Sequence, residues 1–173
     1  MTYRTRTYIA GDWTGDSQAI NILYSWNKSN YWSLSFTNAH DLMSARDSSL
    51  NCTIKNSLKQ RMNASKRFVL IVGEHTKTLT AGGCQLCDSY NRWNKCCARS
   101  PYYCVDYRSF IRFECEEAVK AGIEIVVLYN SVCVDKNKCP ESVRDAFYHI
   151  PMKYVERDGN TYWDYQRVKA ALE

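Results

Sequence analysis

Ser109-Phe110-Ile111-Arg112-Phe113-Glu114-Cys115-Glu116-Glu117-Ala118-Val119-Lys120-Ala121-Gly122, continued by Ile123-Glu124-Ile125-Val126-Val127-Leu128-Tyr129, reads as a helix that gives way to a buried strand. At about 100° per residue, Ile111, Cys115, Ala118 and Val119 share an apolar face, and Glu114 falls about 60° to one side of Ile111, next to Ala118. Glu116 and Glu117 are expected to point further away. A carboxylate half in the core beside Phe110 and Phe113 is partly desolvated, which raises its pKa and marks it as a candidate functional acid. The competing reading is an amphipathic helix whose glutamates are all solvated.

Outward from this unit the chain alternates strand and helix patterns. Arg6 to Ala10 reads as a first strand, followed by the turn-rich Gly11 to Asp16 and a helix over Ser17 to Asn27 with Ile20, Leu23 and Tyr24 on one face. Trp32 to Phe36 is a short second strand. Asn38 to Ser48 is polar and loop-like, and Ser48 or Ser49 can cap a helix striped by Leu50, Ile54, Leu58 and Met62. Arg67 to Val72 contains the uninterrupted apolar run Phe68-Val69-Leu70-Ile71-Val72, typical of a strand covered on both faces, and Ile125 to Tyr129 repeats it. Cys139-Pro140-Glu141-Ser142-Val143 is expected to open another helix, and Asp164 to Leu172 a terminal one. The pattern predicts an α/β fold of about five parallel strands, with Phe68 to Val72 and Ile125 to Tyr129 near the middle and helices on both sides.

In such sheets ligands bind where loops converge at the carboxyl ends of the strands. The loops selected are Gly11 to Asp16, Asn38 to Asp47, and Gly73-Glu74-His75-Thr76. Neither a phosphate loop ending in Gly-Lys-Ser/Thr nor a GxGxxG run is present, which argues against those nucleotide-binding classes.

The 173 residues, 45% hydrophobic, are expected to form one domain with a real core. A net charge of +5 with scattered Lys and Arg lacks the basic stripe of a nucleic-acid binder, so a small anionic ligand is expected instead of DNA. No apolar run reaches the roughly 18 residues of a membrane span, and Met1 to Arg6 leads into a strand without a signal-peptide core. A soluble, cytoplasmic protein with no membrane partner is expected. The nine cysteines are an odd number and are expected to be reduced, with Cys52, Cys115, Cys133 and Cys139 packing as small apolar residues in regular segments.

Thr7-Tyr8-Ile9-Ala10, Phe68-Val69-Leu70-Ile71-Val72-Gly73-Glu74-His75-Thr76, and Ser109-Phe110-Ile111-Arg112-Phe113-Glu114 leading to Glu117-Ala118-Val119-Lys120-Ala121-Gly122 together resemble the TIR-like family of bacterial signalling and antiphage proteins, whose ThsB members belong to Thoeris defence. The resemblance runs from about Thr5 to Asn130. It implies a flavodoxin-like, three-layer α/β fold over residues 1–173, with a Cys-rich insertion at about 80–105. It also implies cleavage of NAD at the nicotinamide-ribose bond, giving a linear or cyclic ADP-ribose-type signal nucleotide, with Glu114 catalytic. NAD is then the substrate, and the partners are further copies of the domain and a downstream effector that senses the product. The alternative is a non-catalytic TIR-like scaffold or interaction module. The chemistry is consistent with a single carboxylate. Nicotinamide in NAD is already a cationic leaving group, so no general acid is required, and one carboxylate can hold ribose hydroxyls and offset an oxocarbenium-like charge. Many relatives end the first strand in Ser-Phe where this chain has Ala10 and Gly11, and Trp13 can supply the missing ring.

Cys84-Gln85-Leu86-Cys87, Cys96-Cys97 and Cys104 make the insertion distinctive. Cys84, Cys87, Cys97 or its neighbour Cys96, and Cys104 could hold a structural zinc, with buried reduced thiols or a disulfide as alternatives. Further candidates for substrate contact are Asp12 and Asp41 on ribose hydroxyls, Arg46 and Lys77 on pyrophosphate, His75 at the end of the third strand, and Phe113 beside the acid. Solvated, capping or packing roles compete for each.

Overall fold

Seven of the eight residues of the strand Ser65–Val72 are buried, as only a strand covered on both faces can be. The computed structural model describes residues 6–32, 34, 36–38, 50–97, 105–146 and 148–173. In chain order the elements are β1 (Arg6–Ala10), α1 (Ser17–Lys28), β2 (Thr37–Asn38), α2 (Asn51–Asn63), β3 (Ser65–Val72), a small hairpin of β4 (Tyr90–Asn91) and β5 (Cys96–Cys97), α3 (Phe110–Ala121), β6 (Glu124–Tyr129), β7 (Tyr148–Pro151), a second hairpin of β8 (Lys153–Val155) and β9 (Thr161–Trp163), and α4 (Tyr165–Leu172).

The main sheet has five parallel strands in the order β2-β1-β3-β6-β7, so β3 is central with β6 beside it. The two-residue period of a strand divides the core. Tyr8, Ala10, Phe68, Leu70, Val72, Val127 and Tyr129 face α2 and α3, meeting Leu58, Met62, Ile111, Cys115 and Ala118. Ile9, Val69, Ile71, Val126 and Leu128 face α1 and α4, meeting Ile20, Leu23, Val168 and Leu172. The strand order reverses between β1 and β3, and this flavodoxin-like arrangement opens a crevice beyond the carboxyl ends of those two strands.

Several boundaries differ from the sequence reading. The second strand is Thr37–Asn38 and not Trp32 to Phe36. The Asn27 side chain accepts from the Phe36 amide (2.9 Å) and donates to its carbonyl (2.7 Å), standing in for a neighbouring strand until pairing with β1 begins. Cys139 to Val143 forms only a 3-10 turn at Glu141–Val143, because the chain must reach β7 five residues later. Ser48 and Ser49 lie outside the described residues, and the N-cap position of α2 is Leu50. Val119 is half-exposed, and Glu117 takes its place on the inward side of α3, paired with Lys59 of α2 (3.2 Å) and Lys120 (2.8 Å). Cys133 is exposed, whereas Cys115 and Cys139 are fully buried.

Candidate active site

The first turn of α3 is fixed by Ser109, whose Oγ accepts the Arg112 amide (3.2 Å), and its end by Gly122 in the left-handed region (φ 61°). Between these stops the helix turns Glu114 inward, leaving it 6% exposed. The Tyr8 hydroxyl, 106 residues away in β1, donates to Glu114 Oε1 at 2.5 Å. Burial pushes the Glu114 carboxyl from 4.5 up to about 7, against the Tyr8 hydrogen bond and the positive charge of Arg61, which favour the ionised form. Tyr8 is itself held well above its ordinary value, first by burial and then by the carboxylate beside it. Of the two groups Glu114 ionises first, so a negative charge on the pair sits on its carboxylate.

Glu114 lines a cleft of about 330 Å³ bounded by Gly11, Asp12, Trp13, Ile54, Leu58, Arg61, Leu79, Ala81, Phe110 and Ile111. The walls come from the loops after β1 and β3 and from α2 and α3, so the cleft lies at the crevice beside β1. Trp13 is 48% exposed and its ring stacks on Tyr24 (centroids 6.2 Å apart, 28° between planes), leaving an aromatic surface at the rim. Asp12 lines the cleft and also closes the turn after β1, accepting the Thr14 amide at 3.0 Å. Gly82 (φ 98°) runs under the Phe110 ring so closely that a Cβ there would come within 2.4 Å of it. This cleft joins one desolvated carboxylate, one aromatic surface and one cation to largely apolar walls.

Residues 8–81 match the family model of the Thoeris protein ThsB, TIR-like domain. Over that span the chain is similar to the TIR-like domain of ThsB proteins. No curated protein matches it. The matched span includes Tyr8, which bonds Glu114, and Asp12, Trp13, Arg61 and Leu79 of the cleft, and it ends before α3, so Glu114 lies outside it.

Elsewhere the sequence candidates separate. Phe113 lies on a different side of α3 from the cleft, buried with Arg108 (4.9 Å) and Lys55 (5.6 Å) against its ring. His75 is exposed at the start of the 3-10 turn Thr76–Thr78 and does not line the cleft. Lys77 lines a separate hollow of about 180 Å³ and pairs with Glu141 (3.8 Å). Asp41 and Arg46 lie outside the described residues. The sequence reading missed Tyr8 and Arg61 as site residues. It also missed Asp16, buried where the loops after β1, β3 and β6 meet, which accepts from Asn130 Nδ2 (2.9 Å) and fills the space a side chain at position 73 would need.

The insertion packs on the N-terminal end of α2. Cys84, Cys87 and Cys97 line a cavity of about 10 Å³ together with Asn51, Cys52 and Tyr90, so Cys52, far off in sequence, joins the cluster. The Asp106 amide points at Cys84 Sγ (3.3 Å). Cys104 lies outside the described residues, among which the cysteines are free and no group of three or more His, Cys, Asp or Glu is placed to hold a metal ion. The buried Lys55 ties α2 to the end of the insertion through the carbonyls of Asp106 (3.2 Å) and Arg108 (2.6 Å) and the Asp106 carboxylate (3.4 Å). Among the described residues no helix is long and apolar enough to cross a membrane.

Proposed function

We propose that this TIR-like domain is a NAD-consuming enzyme of signalling or defence, with Glu114 as its catalytic carboxylate. The observation that carries the reading is a desolvated carboxylate lining a cleft that also presents Trp13, at the crevice where such sheets hold ligands. In the reaction, the bond between ribose C1′ and the pyridinium nitrogen breaks, nicotinamide leaves neutral with the bonding electron pair, and positive charge develops on the sugar. Ionised Glu114 offsets that charge in a site with little water to screen it. Capture of C1′ by water gives ADP-ribose and a proton, and capture by a nucleophile of the same molecule gives a cyclic product. Trp13 supplies a face for a heteroaromatic ring and Asp12 a carboxylate for ribose hydroxyls. Association with further TIR-like domains and sensing of the product by an effector complete the proposal.

The test is nicotinamide release from NAD by the purified full chain, alone and with lysate of phage-infected cells. Glu114→Gln keeps shape and hydrogen bonding but removes the charge, and a fall of at least about 100-fold is expected, of the size seen when one charge-stabilising group is lost. Glu117→Gln, whose residue faces α2 in an ion pair, is the control. Equal release by wild type and Glu114→Gln would leave the non-catalytic interaction module as the function.

A further inference from the structure

We propose that Arg61 is the phosphate-docking group of the cleft, which makes the ligand class a nucleoside diphosphate moiety anchored by its anion on α2 while its ring lies toward Trp13. The proposal rests on the reading of this cleft as a nucleotide site. Among the described lining residues Arg61 is the one cation, and the cleft's two acids are Asp12 and Glu114. A diphosphate brought near two carboxylates and apolar walls is repelled and stripped of water, so a charge of opposite sign has to meet it. A guanidinium does this well, because its planar fork matches two phosphate oxygens at once.

The backbone that carries Arg61 is also fixed in place. The residue sits in the last turn of α2, and its carbonyl accepts from Ser65 Oγ (2.9 Å) and from the Ala64 amide (3.1 Å), which locks the turn into β3. Its positive charge acts on both Glu114 and Tyr8, so cation and carboxylate share one electrostatic field. The cleft thus sets a negative charge against a positive one. An oxidised nicotinamide dinucleotide has the complementary pattern, a pyridinium cation and a diphosphate anion. Of the two pyrophosphate candidates the sequence offered, Lys77 lies in another hollow and pairs with Glu141, and Arg46 lies outside the described residues.

Titration calorimetry of the full chain with ADP and with adenosine tests this. ADP should bind wild type at least about tenfold more tightly than adenosine, a difference of about 1.4 kcal/mol. Arg61→Met should remove that difference and leave adenosine binding within about twofold of wild type, which also shows that the variant folds. Glu114→Gln should tighten ADP severalfold by removing a like charge. Failure of ADP to bind wild type, or equal ADP affinity in wild type and Arg61→Met, overturns the proposal. ADP docking on Arg61 without nicotinamide release from NAD would sink the proposed reaction and keep the subsite; nicotinamide release with unchanged ADP binding in Arg61→Met would do the reverse.

Discussion

Glu114 lowers the stability of the fold for the same reason that it suits a catalytic role. Its proton is held more tightly in the folded chain (about 7) than in the unfolded one (4.5), so its contribution to stability is complete below about pH 4.5 and is lost as pH rises to about 7. The loss is about 3 kcal/mol if the whole shift is expressed. Glu114→Gln, having no charge to bury, is therefore expected to melt several degrees above wild type at pH 8 and close to it at pH 5, and a scan of melting temperature against pH checks this. Tyr8→Phe is expected to act through proton affinity. Removing the hydroxyl deletes the bond that favours the ionised carboxylate, so the fall in nicotinamide release that the proposed chemistry sets near pH 7 should come at higher pH in the variant. The rotation per residue of a helix made Glu114 legible, and the strand-end rule made Asp12 and Trp13 legible. Tyr8 was not, because no local pattern links residues 106 apart. Arg61 was hidden beside an apolar stripe read only at Leu50, Ile54, Leu58 and Met62. Phe113 was misplaced because adjacency in sequence is a 100° turn on a helix.

The devices that hold elements in place are local, and most were readable. α3 starts at a serine that caps it and stops at a left-handed glycine. Ser109→Ala removes the acceptor of the Arg112 amide and should cost about 1 kcal/mol in urea unfolding. Gly122→Ala should cost about 1 kcal/mol as well, and for backbone reasons alone, since a Cβ there meets nothing within 4 Å. The errors came where a side chain took over the work of an element. Asn27 paired with the backbone of Phe36, so the second strand started later than its aromatic residues suggested. Lys55 is buried among carbonyls of the insertion, and Cys52 among its thiols; both belong to α2, and neither pairing is visible from spacing. The hairpin of β8 and β9 did carry a signal, Asp158-Gly159 between aromatic residues, that the sequence reading passed over.

Across the whole molecule, the alternation of strands and helices and the two apolar runs were sufficient to fix the class and the central strands. Leu70 and Val127 are fully buried as that required. Strand order and the opposed placement of α1 and α4 against α2 and α3 depend on long-range pairing, which one sequence does not display directly. The bond from β1 to α3 also sets an order in time. A chain leaving the ribosome exposes Tyr8, Asp12, Trp13 and Arg61 well before Glu114 has been joined to it. Until α3 has been made and has docked, the growing polypeptide has cleft walls without their acid, so on the proposed chemistry a cell can accumulate half-made copies without any of them consuming its nucleotide pool.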